Sequence, residues 1–218
     1  TACADVAVLE VIVVDDGSTD ATGEAVRATA EADPRVRLLT HARSGGQSAA
    51  VHSGVLASTG DIVCTLDGDG QNPPEELPNL MAPLLDPAAP ATLGLVAGQR
   101  VGRQDTWSKK AASRFANRLR GALLKDGTRD TGCGLKAFRR DAFLRLPYFD
   151  HMHRYLPALF KRDGWRVVLV DVDHRNYQQA QILAEAVYVH IDTFFFCHIE
   201  HVEQNDDLVG PLLEVHVR

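Results

Sequence analysis

The chain has 218 residues, of which 45% are hydrophobic and 24% are charged, as in a soluble globular domain with a substantial core. No apolar run approaches the roughly 18 residues of a membrane span, and the first residues lack the basic and apolar regions of a signal peptide. The four cysteines have no CxxC spacing. We therefore expect free thiols in a reducing compartment, which favours the cytoplasm.

The net charge of −6 is unevenly distributed along the chain. Residues 1–175 carry 22 basic and 22 acidic side chains, whereas residues 176–218 carry one arginine and seven acids. Within the first part, residues 100–145 carry 13 basic side chains and four acids. This positive stretch favours a diphosphate ligand or an anionic membrane surface. A solvated helix face is the alternative interpretation.

Apolar, β-branched stretches alternate with helical patterns in the first half of the chain. Strands are predicted at 6–14, 36–40, 61–66 and 93–99, and helices from the turn at 15–20 to about 32, at 47–58 and at 75–85. Gly60 is placed just beyond the second helix, in the usual glycine position after a C-cap. The alternation predicts an α/β fold with a doubly wound, mostly parallel sheet and helices on both faces.

The second half has a less regular pattern. We predict an amphipathic helix at 107–125, a loop and short strand at 132–139, short helices at 141–146 and 155–161, and a strand at 165–172. The first of these helices has an apolar stripe and a basic stripe, both with a spacing of four residues.

Acidic residues follow the first and third predicted strands, where ligands bind in parallel sheets. Asp67 and Asp69 could hold Mg²⁺ or Mn²⁺ between them, and Gln71 could add a carbonyl oxygen. An ordinary acidic turn is the alternative. Neither GxxxxGK[ST] nor GxGxxG is present, so a metal ion is the expected source of charge neutralisation for a phosphate ligand.

The second acidic cluster runs from Asp15 to Asp20, between a strand and a helix. Its carboxylates could accept hydrogen bonds from a ribose hydroxyl or a base N–H. Asx-turn and N-cap chemistry accounts for one or two of the three acids, but not for all of them.

Four ordered strings carry a specific resemblance: VIVVDDGSTD, SGGQSAA, TLDGDGQNPPEEL and DTGCGLKAFRRDAF. They resemble the family 2 glycosyltransferases of GT-A fold, and within them the polyprenyl-phosphate branch that includes dolichol-phosphate mannosyltransferase-like enzymes. The similarity extends over residues 8–175. It implies inverting transfer from a UDP- or GDP-sugar to a polyprenyl phosphate, with Mg²⁺ or Mn²⁺, at the inner face of the membrane. Nucleic acid is not expected as a partner.

The resemblance also implies roles for individual residues. The donor-binding residues are Asp15, Asp16, Gly46, Asp67, Asp69 and Arg100, the metal ligands are Asp67, Asp69 and Gln71, and the acceptor-phosphate contacts are Arg114, Arg118 and Arg175. Asp130 corresponds to an acid proposed as the general base or as an acceptor-positioning group. A lipid phosphate is already an anion, so the catalytic role of Asp130 is a hypothesis.

Two departures from the family pattern lead to further expectations. The family's first strand and helix have no counterpart before residue 8, so we expect an exposed edge on the strand at 6–14 and either poor stability or weak donor binding. The basic segment that follows Arg175 in the family is replaced by an acidic, histidine-rich one. We therefore divide the chain into a GT-A domain at 1–175 and an atypical segment at 176–218.

Two other functions remain open. One is a glycosyltransferase with a soluble or polysaccharide acceptor, although the QxxRW motif of processive polysaccharide synthases is absent. The other is an inactive fragment that binds a metal ion and a nucleotide without turnover.

Overall fold

The computed structural model describes residues 6–101, 130, 132–175 and 193–201, and for residues 6–9 and 193–201 it describes the backbone alone. The strands are β1 (Val6–Asp15), β2 (Val36–Thr40), β3 (Ile62–Asp67), β4 (Leu93–Arg100), β5 (Lys136–Arg139), β6 (Arg166–Val172) and β7 (Thr193–His201). The helices are α1 (Thr22–Ala32), α2 (Gln47–Ala57), α3 (Leu77–Leu85), α4 (Arg140–Phe143) and α5 (Leu156–Arg162), with 3-10 turns at Pro74–Glu76 and Met152–Arg154. The helix predicted at 107–125 lies outside the described residues.

The described strands form one seven-stranded sheet in the order β2-β1-β7-β3-β5-β4-β6. β1 is parallel to β2 and β4 is parallel to β6, while β5 and β7 are each antiparallel to both of their neighbours. Five of these strands therefore run in one direction, and their carboxyl ends lie at one edge of the sheet. The predicted α/β class with helices on both faces is confirmed, and the sheet is mixed, with two parallel and four antiparallel pairings among the described strands.

The expectation that β1 has an exposed edge is wrong. β7 pairs with β1 from Val6↔His201 to Asp15↔Thr193, and on its other side with β3 from Val63↔His198 to Asp67↔Phe194. The backbone groups of β1 on that side therefore have hydrogen-bonding partners. Part of the segment that the sequence sets apart at 176–218 lies in the middle of the sheet.

Apolar side chains pack on both faces of the sheet, because successive residues of a strand point to opposite faces. On one face, Val63 and Phe138 lie in a cluster with residues of α2, α4 and α5. On the other face, Cys64 and Leu135 lie in a cluster with residues of α3. Both layers are closed to solvent and fix the strand ends that carry the polar residues.

Two helix ends differ from the prediction. Gly60 is not the terminator of α2, because Ser58 already has extended backbone (φ −72°, ψ 152°) and its hydroxyl donates to the carbonyl of Val55 at 2.8 Å. The helix predicted at 75–85 begins with a 3-10 turn at Pro74–Glu76, and the α-helix starts only at Leu77.

Among the described residues, no helix has both the length and the apolar character needed to cross a bilayer.

Candidate active site

Asp67 is the last residue of β3 and lies at the carboxyl edge of the sheet. The side-chain amide of Gln47, the first residue of α2, donates to its Oδ1 at 3.0 Å. Burial raises the pKa of Asp67 above its ordinary value, and the nearby Asp69 adds to that shift, whereas Lys136 and a hydrogen bond from Asn72 oppose it. A buried carboxylate beside a second acid is a site where a cation would stabilise the ionised form.

The turn before β5 holds Asp67 in place. An added Cβ on Gly134 would lie 2.1 Å from Oδ2 of Asp67, so the carboxylate occupies the space that any side chain at position 134 would need. Two hydrogen bonds hold the turn itself in place. The Thr65 hydroxyl donates to the carbonyl of Gly134 at 2.6 Å, and the Gly98 amide donates to the carbonyl of Leu135 at 2.9 Å. The orientation of Asp67 thus depends on a glycine.

Asp69 and Gln71 lie in the turn that follows β3. The amide of Gln71 donates to Oδ1 of Asp69 at 2.9 Å, and Gly70 between them has a φ of 72°, which favours glycine. Asp69 is exposed, so its second carboxylate oxygen can face a ligand. The described residues contain no cluster of three or more His, Cys, Asp or Glu suited to a metal ion. The carboxylates of Asp67 and Asp69 are oxygen ligands of the type that hard divalent cations prefer, and phosphate oxygens and water would have to supply the other ligands.

Asp16 follows β1 and organises the loop that leads into α2. Its Oδ1 accepts from the His41 ring at 2.6 Å and from the Gly45 amide at 2.9 Å. Its Oδ2 accepts from the Ser44 hydroxyl at 2.8 Å and from the Gly46 amide at 2.7 Å. Burial alone would raise the pKa of Asp16, but these four hydrogen bonds outweigh it and lower the pKa below its ordinary value.

Replacing Asp16 with asparagine is expected to lower the free energy of unfolding by about 2 kcal/mol, because the amide nitrogen would face donors instead of accepting from them. Urea denaturation at pH 7 measures the change. Asp86→Asn is the control, since Asp86 accepts from the Ala88 amide at 2.8 Å in a turn that asparagine forms equally well. Equal stability of the two variants would contradict the prediction.

Two other acids of the first cluster have local roles. Asp15 is buried, and its Oδ1 accepts from the Ser18 amide at 2.8 Å. Asp20 accepts from the amide of Thr22, the first residue of α1, at 3.0 Å. Turn and helix-start chemistry thus accounts for Asp15 and Asp20, and the acid that links this cluster to the loop before α2 is Asp16.

Arg100 and Asp130 form a paired unit at the end of β4. Nε of Arg100 lies 2.5 Å from Oδ2 of Asp130, and the Nη2–Oδ1 distance is 2.8 Å, with both side chains 15% exposed. This ion pair fixes the orientation of the Asp130 carboxylate at the end of β4. The catalytic role of Asp130 stays a prediction.

The predicted acceptor-phosphate contacts are only partly described. Arg114 and Arg118 lie outside the described residues. Nη2 of Arg175 donates to both carboxylate oxygens of Glu75, at 3.2 and 3.1 Å, and the Arg175 amide donates to the carbonyl of Gln71 at 2.9 Å. Arg175 therefore binds the segment after β6 to the turn that carries Asp69.

The sequence profile of "Glycosyl transferase family 2" matches residues 4–146, about two thirds of the chain. The chain belongs to glycosyltransferase family 2. The described part of this family 2 domain has the GT-A architecture, with its acidic strand ends at one edge of the sheet.

Curated relatives of this family 2 chain are transferases that act on a lipid phosphate. The chain is 34% identical over 167 residues to undecaprenyl-phosphate 4-deoxy-4-formamido-L-arabinose transferase of Enterobacter sp. (strain 638), covering 76% of this chain and 49% of the relative. It is 35% identical to the enzyme of the same name from Aeromonas hydrophila, with the same coverage. The chain thus spans about half the length of the curated relatives it matches.

Solved structures of similar fold contain nucleotide sugars and Mn²⁺. Glucosyl-3-phosphoglycerate synthase from Mycobacterium tuberculosis, in complex with Mn²⁺, UDP-glucose and glycerol 3-phosphate, matches with a TM-score of 0.58 and 25% identity over 76% of this chain and 60% of that one. A mannosyltransferase from Pyrobaculum calidifontis, in complex with GDP-Man and Mn²⁺, matches with a TM-score of 0.55 and 27% identity over 77% of this chain and 47% of that one.

Sequence reasoning missed several residues of this family 2 site. Gln47 and Gly134 contact Asp67, and Lys136 and His153 line a cavity beside it. Lys136 carries only a weak signal, as a lysine between the apolar residues Leu135 and Ala137, because the strand Lys136–Arg139 also ends in a basic residue. Gln47 and His153 carry no such signal, since their positions depend on how distant loops meet.

His153 makes the stability of the domain sensitive to acid. Burial, together with the nearby Lys136, lowers its pKa from 6.5 to about 4. As the pH falls from 7 to 5, the unfolded chain gains a proton on this histidine while the folded chain does not. His153 therefore reduces the free energy of unfolding by about 2 kcal/mol over that interval.

The measurement is urea unfolding of the unchanged chain and of His153→Gln at pH 7 and pH 5. We expect the loss of stability between the two pH values to be about 2 kcal/mol smaller in the variant. His151→Gln is the control, because His151 is exposed. Identical pH dependence of the unchanged chain and His153→Gln would contradict the prediction.

Proposed function

We propose that this chain is the catalytic domain of an inverting glycosyltransferase that moves a sugar from a nucleoside-diphosphate sugar to a polyprenyl phosphate. The observation that carries the proposal is the position of Asp67 and Asp69 at the edge of the sheet where Asp16 and Arg100 also lie. Support for the acceptor comes from the curated relatives, whose names specify undecaprenyl phosphate. Support for the donor comes from the neighbours that bind UDP-glucose and GDP-Man.

Asp67 and Asp69 would hold a divalent cation, with Gln71 as a further contact. When bound, Mg²⁺ or Mn²⁺ supplies positive charge against the pyrophosphate of the donor. The protein's own part is to fix the two carboxylates. Gln47 and Gly134 set the orientation of Asp67, and the Gln71 amide sets that of Asp69.

The donor nucleoside would lie over the loop that Asp16 organises, so Asp16 and Gly46 shape this part of the site. Arg100 and Asp130 would stand at the diphosphate end as a fixed pair. An oxygen of the acceptor phosphate attacks the anomeric carbon, the bond from that carbon to the leaving oxygen breaks, and the electron pair departs with the nucleoside diphosphate. The attacking group is already an anion, so no general base is required and Asp130 acts by position.

The test is release of nucleoside diphosphate by the full chain from UDP- and GDP-sugars. Each donor is supplied with Mn²⁺, with Mg²⁺ or with EDTA, and with a short polyprenyl phosphate, glycerol 3-phosphate or no acceptor. We expect metal-dependent release that needs the polyprenyl phosphate. Release with glycerol 3-phosphate alone would favour a soluble acceptor, as in the mycobacterial synthase complex. Donor binding without release under any condition would favour the inactive fragment.

We also propose that residues 1–175, together with the strand Thr193–His201 between β1 and β3, make up the donor-binding domain, and that the acceptor is met at the cytoplasmic face of a membrane. The support is the name of the acceptor in the curated relatives and the excess of basic residues at 100–145. Sedimentation of the chain with vesicles containing phosphatidylglycerol, compared with phosphatidylcholine alone, tests the membrane contact.

A further inference from the structure

A cavity opens beside Asp67, on the side that faces the Met152–Arg154 turn. The polar side chains that line it include those of Gln47, Asp67, Lys136, His153 and Arg154. At about 60 Å³ it is far smaller than the roughly 300–1,000 Å³ of pockets for drug-sized ligands. It therefore suits a small head group that meets the donor site, and not a nucleotide.

Lys136 is the most deeply placed cation of this cavity. It lies in β5 opposite Thr65 of β3 and Ala97 of β4, and only 5% of it is exposed. Its ammonium donates to the carbonyl of Cys133, which takes one of its three N–H groups. Burial lowers the pKa of its ammonium group, and the nearby Asp67 opposes that shift.

The Met152–Arg154 turn contributes the second cation, Arg154, and the uncharged ring of His153. Met152 is buried at 1% exposure, and the His153 ring shares a hydrogen bond of 2.8 Å between Nδ1 and the hydroxyl of Ser48 in α2. The turn is thereby anchored in the core. Arg154 is exposed and lies at the mouth of the cavity, where its guanidinium group can bind two oxygens of one phosphate.

The transfer reaction brings two anions together, which explains why such cations are needed. The donor pyrophosphate and the acceptor phosphate repel each other, and a cation at Asp67 and Asp69 serves the donor. Among the described basic residues at this edge, Arg100 is paired with Asp130 and Arg175 with Glu75. Lys136 and Arg154 face the cavity next to Asp67.

We propose that Lys136 and Arg154 bind a phosphate monoester in this cavity, and that this phosphate is the attacking group of the acceptor. The assignment rests on the proposed function, and adds to it residues that the sequence did not indicate. The phosphate monoester can belong to a lipid or to a soluble metabolite, and its chemistry at these side chains is the same.

Calorimetric titration of the full chain with UDP and Mn²⁺ present tests the assignment. The probes are farnesyl phosphate, glycerol 3-phosphate and inorganic phosphate. The variants are Arg154→Gln and Lys136→Met, and the matched control is Arg162→Gln, at the other end of α5, where the exposed arginine pairs with Asp163 at 2.7 Å. We expect Arg154→Gln and Lys136→Met to weaken phosphate-monoester binding by about 10-fold or more. The phosphate-monoester affinity of Arg162→Gln and the affinity of Arg154→Gln for UDP with Mn²⁺ should each change less than about two-fold.

The outcomes separate the two proposals. A loss confined to farnesyl phosphate assigns the site to a lipid acceptor, and an equal loss for glycerol 3-phosphate assigns it to a soluble one. Phosphate-monoester affinity in Arg154→Gln equal to that in Arg162→Gln overturns the inference, and because Arg154 is exposed this variant is expected to fold. Absence of UDP binding with Mn²⁺ in the unchanged chain overturns the proposed function instead.

Discussion

Replacing Asp67 with asparagine is expected to lower kcat/KM by about 100-fold or more, because it removes one of the two charges that would hold the divalent cation. Asparagine keeps the size of the side chain and can still accept the hydrogen bond from Gln47. The asparagine side chain also fills the space beside Gly134 that the Asp67 carboxylate occupies. The variant therefore isolates the charge from the packing.

Three measurements check this prediction: nucleoside diphosphate release, Mn²⁺ binding by electron paramagnetic resonance, and UDP affinity with and without Mn²⁺. The control is Asp61→Asn, since Asp61 is exposed at the opposite end of the same strand. Mn²⁺ affinity and donor affinity in Asp67→Asn that match those of Asp61→Asn would remove the metal site from the proposal.

Replacing Gly134 with alanine is expected to reduce Mn²⁺ affinity and kcat/KM by about 10- to 100-fold, the range typical of groups that orient a metal ligand. The added methyl carbon would lie 2.1 Å from Oδ2 of Asp67 and 2.3 Å from its Cγ. Hydrogen bonds from Thr65 and Gly98 hold the backbone at positions 134 and 135, so this turn cannot easily move away from Asp67. Asp67 must therefore rotate or shift.

Gly94→Ala provides a matched control for steric strain. A methyl group on Gly94 would lie 2.9 Å from the side chains of Phe160 and Trp165, in the core and away from the acidic residues. We expect both alanine variants to melt at lower temperature, but only Gly134→Ala to lose Mn²⁺ affinity. Equal Mn²⁺ affinity in the two variants would show that Asp67 does not depend on the glycine.

Much of the sheet could be predicted from local pattern. The first four strands follow from apolar, β-branched runs, and Asp67 was placed correctly at a strand end because the run stops there. The order of the strands was less accessible, since the pattern of a strand shows which residues are buried but not which strand lies beside it. The antiparallel placements of β5 and β7 depend on contacts between residues far apart in sequence.

The candidate site likewise contains some residues that the local sequence reveals and others that depend on contacts between distant segments. The acids at 15–16 and 67–69 are visible as motifs because each cluster is contiguous. Gln47, Lys136 and His153 meet Asp67 or its cavity from three separate segments. No spacing rule connects those segments. The cavity appears only when α2, β5 and the Met152–Arg154 turn are packed together.

The position of β7 also constrains how the chain reaches its native state. β1 and β3 emerge early during synthesis, yet the strand that joins them, Thr193–His201, is made well over a hundred residues later. Until then two strand edges in the middle of the future sheet have no partner, which exposes the nascent chain to pairing with other chains. Completion of the sheet must therefore follow translation of that strand, and the long loop that it closes predicts slow folding and a need for chaperone protection in the cell.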